Sequence, residues 1–141
     1  MPRAGCEGIM KMEHFLDRKN TVAVVGVSAS HDKWGWKVYN ELRTAGFRTY
    51  PVNPKYENID SEKCYPDLES LPEKPDLVIT IVPPAVTLKV VEQCAKLGIG
   101  RVWMQPGSES ENAVKFCREN GIDVIYNACF VVNGLKKQFG D

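Results

Sequence analysis

The stretch Thr21-Val22-Ala23-Val24-Val25-Gly26-Val27-Ser28-Ala29-Ser30-His31-Asp32-Lys33-Trp34-Gly35 carries more structural information than any other part of this chain. Val22 to Val25 form an unbroken apolar run. Such a run suits a strand buried on both faces, as in a parallel sheet. A strand is expected from about Thr21 to Val27. It meets Gly26, a residue with the backbone freedom that a sharp turn requires. A polar loop follows, and Gly35 opens a helical pattern. A strand that passes through a glycine-bearing turn into a helix aims backbone N–H groups at one point. The helix N-terminus adds partial positive charge there, so the turn suits a phosphate.

The helix behind this turn is expected from about Gly35 to Ala45, with Val38, Leu42 and Ala45 on one face of a 3.6-residue period. Gly46 followed by apolar Phe47 reads as a left-handed glycine stop. The same punctuation recurs at Gly98-Ile99 and Gly121-Ile122. Helices are expected before them, over Pro84 to Leu97 with Val86, Val90, Cys94 and Leu97 inward, and over Ser110 to Asn120 with Ala113, Val114 and Cys117 inward. Each stop leads into a short strand: Arg48 to Val52, Arg101 to Gln105, and Asp123 to Tyr126. Leu77 to Val82 reads as one more. Lys11 to Arg18 reads as a short leading helix docked by Phe15 and Leu16. The polar segment Asn53 to Pro75 reads as a surface crossover, with a short strand at Lys63-Cys64-Tyr65 and one helical turn from Asp67 to Leu71. Alternating strands and helices of this kind predict an α/β fold: a doubly wound parallel sheet, Rossmann-like, in three layers α/β/α.

A chain of 141 residues fits one domain. We expect a disordered extension over 1–10 and a single domain over 11–141. Lys+Arg 18 equals Asp+Glu 18, so no basic excess points to nucleic acid or a membrane surface. No apolar stretch approaches the roughly 18 residues of a membrane span. The five cysteines, Cys6, Cys64, Cys94, Cys117 and Cys129, are odd in number and form no CxxC, which disfavours a disulfide framework and a zinc site. Reduced thiols and a cytoplasmic setting follow. Cys94 and Cys117 fall on apolar helix faces and are expected in the core.

In open α/β sheets ligands bind beyond the carboxyl ends of the strands, where the strand order reverses. That rule gathers three turns: Gly26-Val27-Ser28 with Lys33-Trp34-Gly35, Val82-Pro83-Pro84, and Gln105-Pro106-Gly107. A dinucleotide site would show G-x-G-x-x-G and an acidic residue about 20 positions on. Here the glycine pattern lapses after Gly26. The second strand ends in Asn53-Pro54-Lys55, with no carboxylate. An amide and a lysine favour a ligand with a phosphate on its ribose, as in coenzyme A or NADP.

Five stretches in order resemble the CoA-binding domain family, similar to the N-terminal domain of the succinyl-CoA synthetase α subunit and of ADP-forming acyl-CoA synthetases. They are Val22 to Ser28, Pro51 to Lys55, Asp76 to Ile79, Val82 to Pro84, and Val102 to Gly107. The resemblance implies that Gly26 and Ser28, with Lys33 and Gly35, hold the CoA pyrophosphate, and that Val27 and Trp34 of the same turn belong to the cofactor site. It implies that Asn53, Pro54 and Lys55 lie by the adenosine and its 3′-phosphate. Val82 and Pro83 would line the ligand, with Gln105 and Gly107 on the pantetheine side. Ser30-His31-Asp32 stands where family members often have Asn-Pro, and Asn127-Ala128-Cys129 where they often have Asp-Arg-Cys.

No nucleophile elbow, metal-ligand spacing or paired-carboxylate motif accompanies these turns. The expected function is therefore a noncatalytic CoA-binding protein that holds CoA or an acyl-CoA. The alternatives are an NADP-dependent oxidoreductase or a regulatory nucleotide-binding subunit. The partners expected are CoA, a second copy of the chain, or a subunit of the acyl-CoA synthetase type. Trp34 and Trp36 either stack on adenine or pack on neighbours. Cys129 is a possible redox thiol that exchanges with the CoA thiol, or else an unreactive buried one. Gly26→Val is expected to abolish CoA binding and leave the fold intact.

Overall fold

A computed structural model describes residues 13–135. The expected extension over 1–10 lies outside the described residues, as do Lys11 and Met12 of the leading helix. Residues 13–15 are helical, and Phe15 and Leu16 are buried as expected.

Seven strands and three longer helices follow. They are β1 (Thr21–Val25), α1 (Trp34–Thr44), β2 (Arg48–Val52), β3 (Asn58–Ile59), β4 (Glu62–Lys63), β5 (Leu77–Thr80), α2 (Pro84–Leu97), β6 (Arg101–Met104), α3 (Glu111–Glu119) and β7 (Asp123–Ile125). A 3-10 turn, Leu68–Ser70, is capped by Asp67, whose side chain accepts from the Ser70 N–H. Five strands form one sheet in the order β2-β1-β5-β6-β7, every pair parallel. The order reverses between β1 and β5, which is the switch point of the flavodoxin-like variant of doubly wound sheets. β3 and β4 make a separate antiparallel hairpin. This hairpin begins before the strand expected at Lys63 to Tyr65, and Tyr65 instead bridges to Val52 beside β2.

Strand alternation divides the apolar runs between two cores. Val22 and Val24 of β1, Leu77 and Ile79 of β5, and Trp103 of β6 face α1, Phe15 and Leu16. Ala23 and Val25, Val78, and Val102 and Met104 face α2 and α3. Successive side chains point to opposite faces of a sheet, so an unbroken valine run serves both layers. The glycine stops are left-handed as expected, with φ of 96° at Gly46, 76° at Gly98 and 72° at Gly121. Ser110 caps α3 by accepting from the Ala113 N–H. Two details of α2 differ from the periodicity. Val86 is 39% exposed, and Thr87 is buried in its place. The Thr87 hydroxyl reaches back to the Pro83 carbonyl at 3.5 Å, which lets a polar residue sit inward.

After β7 the chain turns through Asn127 (φ 62°) into a π-helix, Phe130–Leu135, which no sequence periodicity announced. Phe130 packs edge-on against Trp103 at 4.8 Å and against Phe47 at 6.1 Å. The Trp103 indole N–H donates to the Ala128 carbonyl at 2.7 Å. The C-terminal segment thereby completes the core on the α1 side of the sheet.

Candidate functional site

The carboxyl ends of the first four parallel strands are tied edge to edge. The Gly26 N–H donates to the Val52 carbonyl at 2.9 Å, the Ile81 N–H to Val25 at 2.8 Å, and the Gln105 N–H to Thr80 at 3.0 Å. Gly26, Asn53, Ile81-Val82 and Gln105 therefore stand side by side, which joins the three turns named from the sequence. The strands themselves end earlier than expected. Val27, Val82, Gln105 and Tyr126 all lie in turns beyond the paired residues.

Gly26 has φ 106°, and a Cβ there would fall 2.8 Å from the Ile81 carbonyl carbon and 2.9 Å from Val82 Cγ1. A Cβ on Gly35 would overlap the Gly26 carbonyl oxygen and lie 3.2 Å from its carbon. The two glycines let β5, the turn and the first turn of α1 meet backbone to backbone. Together they do what the first and third glycines of a dinucleotide fingerprint do, a tight turn and close helix–sheet packing, across a longer loop. The expectation that Gly26→Val spares the fold is overturned here: any side chain at Gly26 collides with backbone.

α1 begins at this point with Lys33 as N-cap, and Lys33 makes no side-chain capping bond. The first N–H groups of a helix have no partner within it, so they are available to an acceptor. Val82 is half-buried beside the turn, while Pro83 caps the start of α2 and is exposed, as are Lys33, Pro54 and Lys55. Asn53 is committed to the protein. Its amide N–H donates to the Val27 carbonyl at 2.9 Å, and its side-chain oxygen accepts from the Lys55 N–H at 2.9 Å. It clamps the first turn to the second strand end, and the Asn-Pro-Lys sequence is a recognisable Asx-turn signal.

Gln105 is equally committed. Its side chain is fully buried, its oxygen accepts from the Phe130 N–H at 2.6 Å, and its amide donates to Cys129 Sγ at 3.3 Å. It ties the end of β6 to the start of the π-helix. Cys129 is itself buried, and its N–H donates to the Asn133 side chain at 2.7 Å. Gly107 takes φ 93°, and its N–H donates to Glu109 at 2.9 Å. Cys94 and Cys117 are fully buried in the core as expected, and burial pushes their thiols up to about 12.

The loop over the turn carries a cluster that the sequence did not signal. Ser28 Oγ accepts from the Ser30 N–H at 3.0 Å and lies 3.5 Å from the Tyr56 hydroxyl. Ser30 donates to Asp32, and this bond holds the Asp32 carboxyl below its ordinary value. His31 Nε2 meets Asp60 at 2.8 Å, the Trp36 indole N–H donates to Asp60 at 2.6 Å, and the two rings stack at 3.9 Å. Asp60 sits in the β3–β4 hairpin at φ 51°. Residues so far apart in sequence meet only once the hairpin folds back, which is why spacing gave no hint. Trp34 borders a groove of about 280 Å³ with Trp36, Val131 and Val132. Among the described residues no cluster of His, Cys, Asp and Glu has a metal-site arrangement, and no helix is long and apolar enough to cross a membrane.

The chain as a whole has relatives among known proteins. The chain is 32% identical over 108 residues to an ADP-forming acetate–CoA ligase of Methanocaldococcus jannaschii, covering 72% of this chain and 15% of that protein. It is 26% identical over 122 residues to an uncharacterized protein of Bacillus subtilis, covering 86% of this chain and 90% of that one. Among solved structures, a hypothetical protein from Pyrococcus horikoshii superposes with a TM-score of 0.85 at 32% identity, covering 92% of this chain and 89% of that one. The dinucleotide-forming acetyl-coenzyme A synthetase 1 of Ca. Korarchaeum cryptofilum superposes at 0.67 with 26% identity, covering 80% of this chain and 27% of that one. The chain thus spans about a seventh of the Methanocaldococcus ligase. The family model of the CoA binding domain matches residues 20–134, from the residue before β1 into the π-helix, and the chain belongs to that family.

Proposed function

We propose that this protein binds coenzyme A or an acyl-CoA, with the pyrophosphate at the start of α1, and catalyses no reaction on it unaided. The observation that carries this reading is the uncapped N-terminus of α1, set against Gly26 at the β1/β5 switch point. Glycines that let the turn close against β5 and α1, free helix N–H groups and the Lys33 ammonium fit a diphosphate. Gly26, Ser28, Lys33 and Gly35 take that role, with the Val27 side chain fully buried beneath the turn, and Pro54 and Lys55 flank the adenosine with its 3′-phosphate. Val82, Pro83 and Gly107 line the path of the pantetheine arm. Asn53 and Gln105 shape the site rather than touch the ligand, because their side chains are already bonded to the chain. CoA supplies the thiol that carries an acyl group. A partner subunit of the synthetase type would supply any reaction, and the buried free thiols suit the cytosol.

Thermal unfolding with CoA, acetyl-CoA, NADP and NAD tests the reading. A ligand at about 100 times its Kd adds about 2.7 kcal/mol to stability. Stabilisation by CoA and acetyl-CoA alone is the expected result, and Lys33→Glu should weaken it by about tenfold through repulsion of the diphosphate. A response to NADP alone would instead indicate the oxidoreductase reading.

Cys129 lies one residue before Phe130, held by Gln105 on the same carboxyl side. In this reading its thiolate attacks one sulfur of CoA disulfide. A Cys129–CoA mixed disulfide forms, the old S–S bond breaks, and one CoA leaves as thiolate. Intact-protein mass after incubation with CoA disulfide should show one CoA adduct that Cys129→Ala lacks. An adduct that survives that substitution refutes the exchange and leaves the binding reading standing.

A further inference from the structure

We propose that the exposed face of α1 and the groove beside it form a two-fold contact between copies of this chain. Trp34, Lys37, Glu41 and Thr44 are all exposed. They follow the alternating three- and four-residue steps of a coiled-coil seam. Two of the three most exposed large apolar side chains among the described residues, Trp34 at 45% and Val132 at 52%, border the adjoining groove. Trp36 and Val131 lie deeper in it, while Lys37 and Glu41 stand at its rim. Trp34 and Val132 make the exposed rim of the groove apolar, and tryptophan is enriched at protein–protein contacts.

The charge pattern selects the occupant. Among the described residues neither Lys37 nor Glu41 makes an ion pair within 4.0 Å, although they lie one helical turn apart; the Lys37 charge also acts on the Asp32 carboxyl, which Ser30 already bonds. A two-fold axis crossing α1 midway between them sets α1 antiparallel to its copy. Lys37 then faces Glu41 of the second copy, and Glu41 faces Lys37. Trp34 faces Thr44, so each bulky side chain meets a small one. A two-fold contact uses the same patch on both subunits, so it counts each pairing twice. A peptide or another protein would need to match this pattern by design, whereas a second copy matches it by symmetry.

Sedimentation and light scattering of the full chain over a wide concentration range decide the matter. The wild type should form a dimer. Lys37→Glu and Glu41→Lys, each alone, bring like charges together at both symmetry-related positions and should raise the dimer Kd by at least about tenfold. A mixture of the two variants should form a heterodimer, because one chain carries two lysines on the seam and the other two glutamates. The doubly swapped K37E/E41K chain should dimerise like the wild type, which separates a lost contact from a damaged fold. A wild type that stays monomeric throughout overturns the proposal, whether the groove is covered by the chain's own ends or by another partner. Single variants that associate as tightly as the wild type overturn it equally.

Discussion

Two turns at the carboxyl edge of the sheet use glycine for opposite reasons. At Gly26 the backbone is left-handed at φ 106°, and a Cβ would strike Ile81 and Val82. At Gly107 the backbone is left-handed at φ 93°, yet a Cβ would find nothing within 4 Å. The first turn is closed by backbone contact, and its outer loop is held by exposed polar groups. The second is open at its backbone and secured underneath by buried ones. Ser108 is buried there, and its hydroxyl lies within hydrogen-bond reach of the Thr80 carbonyl at 3.0 Å, the Gln105 carbonyl at 2.9 Å and the Thr80 hydroxyl at 2.8 Å. Rigidity at a binding edge can thus come from the backbone or from side chains, and substitutions separate the two.

The largest effect is expected at Gly26. Gly26→Ala adds steric overlap with backbone to a left-handed conformation, two penalties that no rotamer relieves. It should cost about 4 kcal/mol or more, the range of severe core lesions. Urea unfolding measures this, and a loss below about 1 kcal/mol would mean that β5 yields easily and that the backbone closure is soft. Gln105→Leu probes the side-chain fastening of the other turn. It keeps the volume roughly constant but leaves the Phe130 N–H without its acceptor, at a cost of about 1–3 kcal/mol. The same measurement checks it, and protection of the π-helix amides in hydrogen exchange should fall with it. Gly107→Ala pays only for conformation, about 1–2 kcal/mol. If Gly107→Ala proves as damaging as Gly26→Ala, the contrast between the two turns is wrong.

The sequence shows one of these devices far better than the other. Runs such as Val22 to Val25 and stops such as Gly98-Ile99 are local, so the strands, the helices and the three layers were legible, and so was the gathering of Gly26, Val82 and Gln105 on one edge. The roles of Asn53 and Gln105 were not. Both are polar residues at strand ends, and spacing cannot tell a side chain that meets a ligand from one that bonds its own backbone. The π-helix at Phe130–Leu135 escaped because its stability comes from Trp103, Phe47 and Gln105, all distant in sequence. Periodicity reads what a segment does along itself, and tertiary fastening leaves no period.

The smallest expected effect lies in the outer loop of the first turn. Asp60 is bonded by His31 first and Trp36 second, and these bonds hold its carboxyl below the ordinary value of 3.8. The folded chain therefore binds that proton less readily than the unfolded chain. The stability this contributes is complete above the ordinary value and is lost as pH falls through the lower folded-state value. The groups around it are the Arg43 side chain, which also lowers the carboxyl, and Glu62, which lies 4.0 Å from Arg43. Because His31 is well exposed, the contribution to global stability is slight. The local signature should still be clear. A carbon NMR titration of the Asp60 carboxyl should shift upward toward the ordinary value in His31→Ala, and Trp36 fluorescence should change as its stacked neighbour goes. An unchanged titration would mean that the hairpin holds Asp60 without the loop. The β1–α1 turn would then be fastened at its glycines and by the Asn53 bond to Val27, and its outer loop would not depend on the His31 contact with the β3–β4 hairpin.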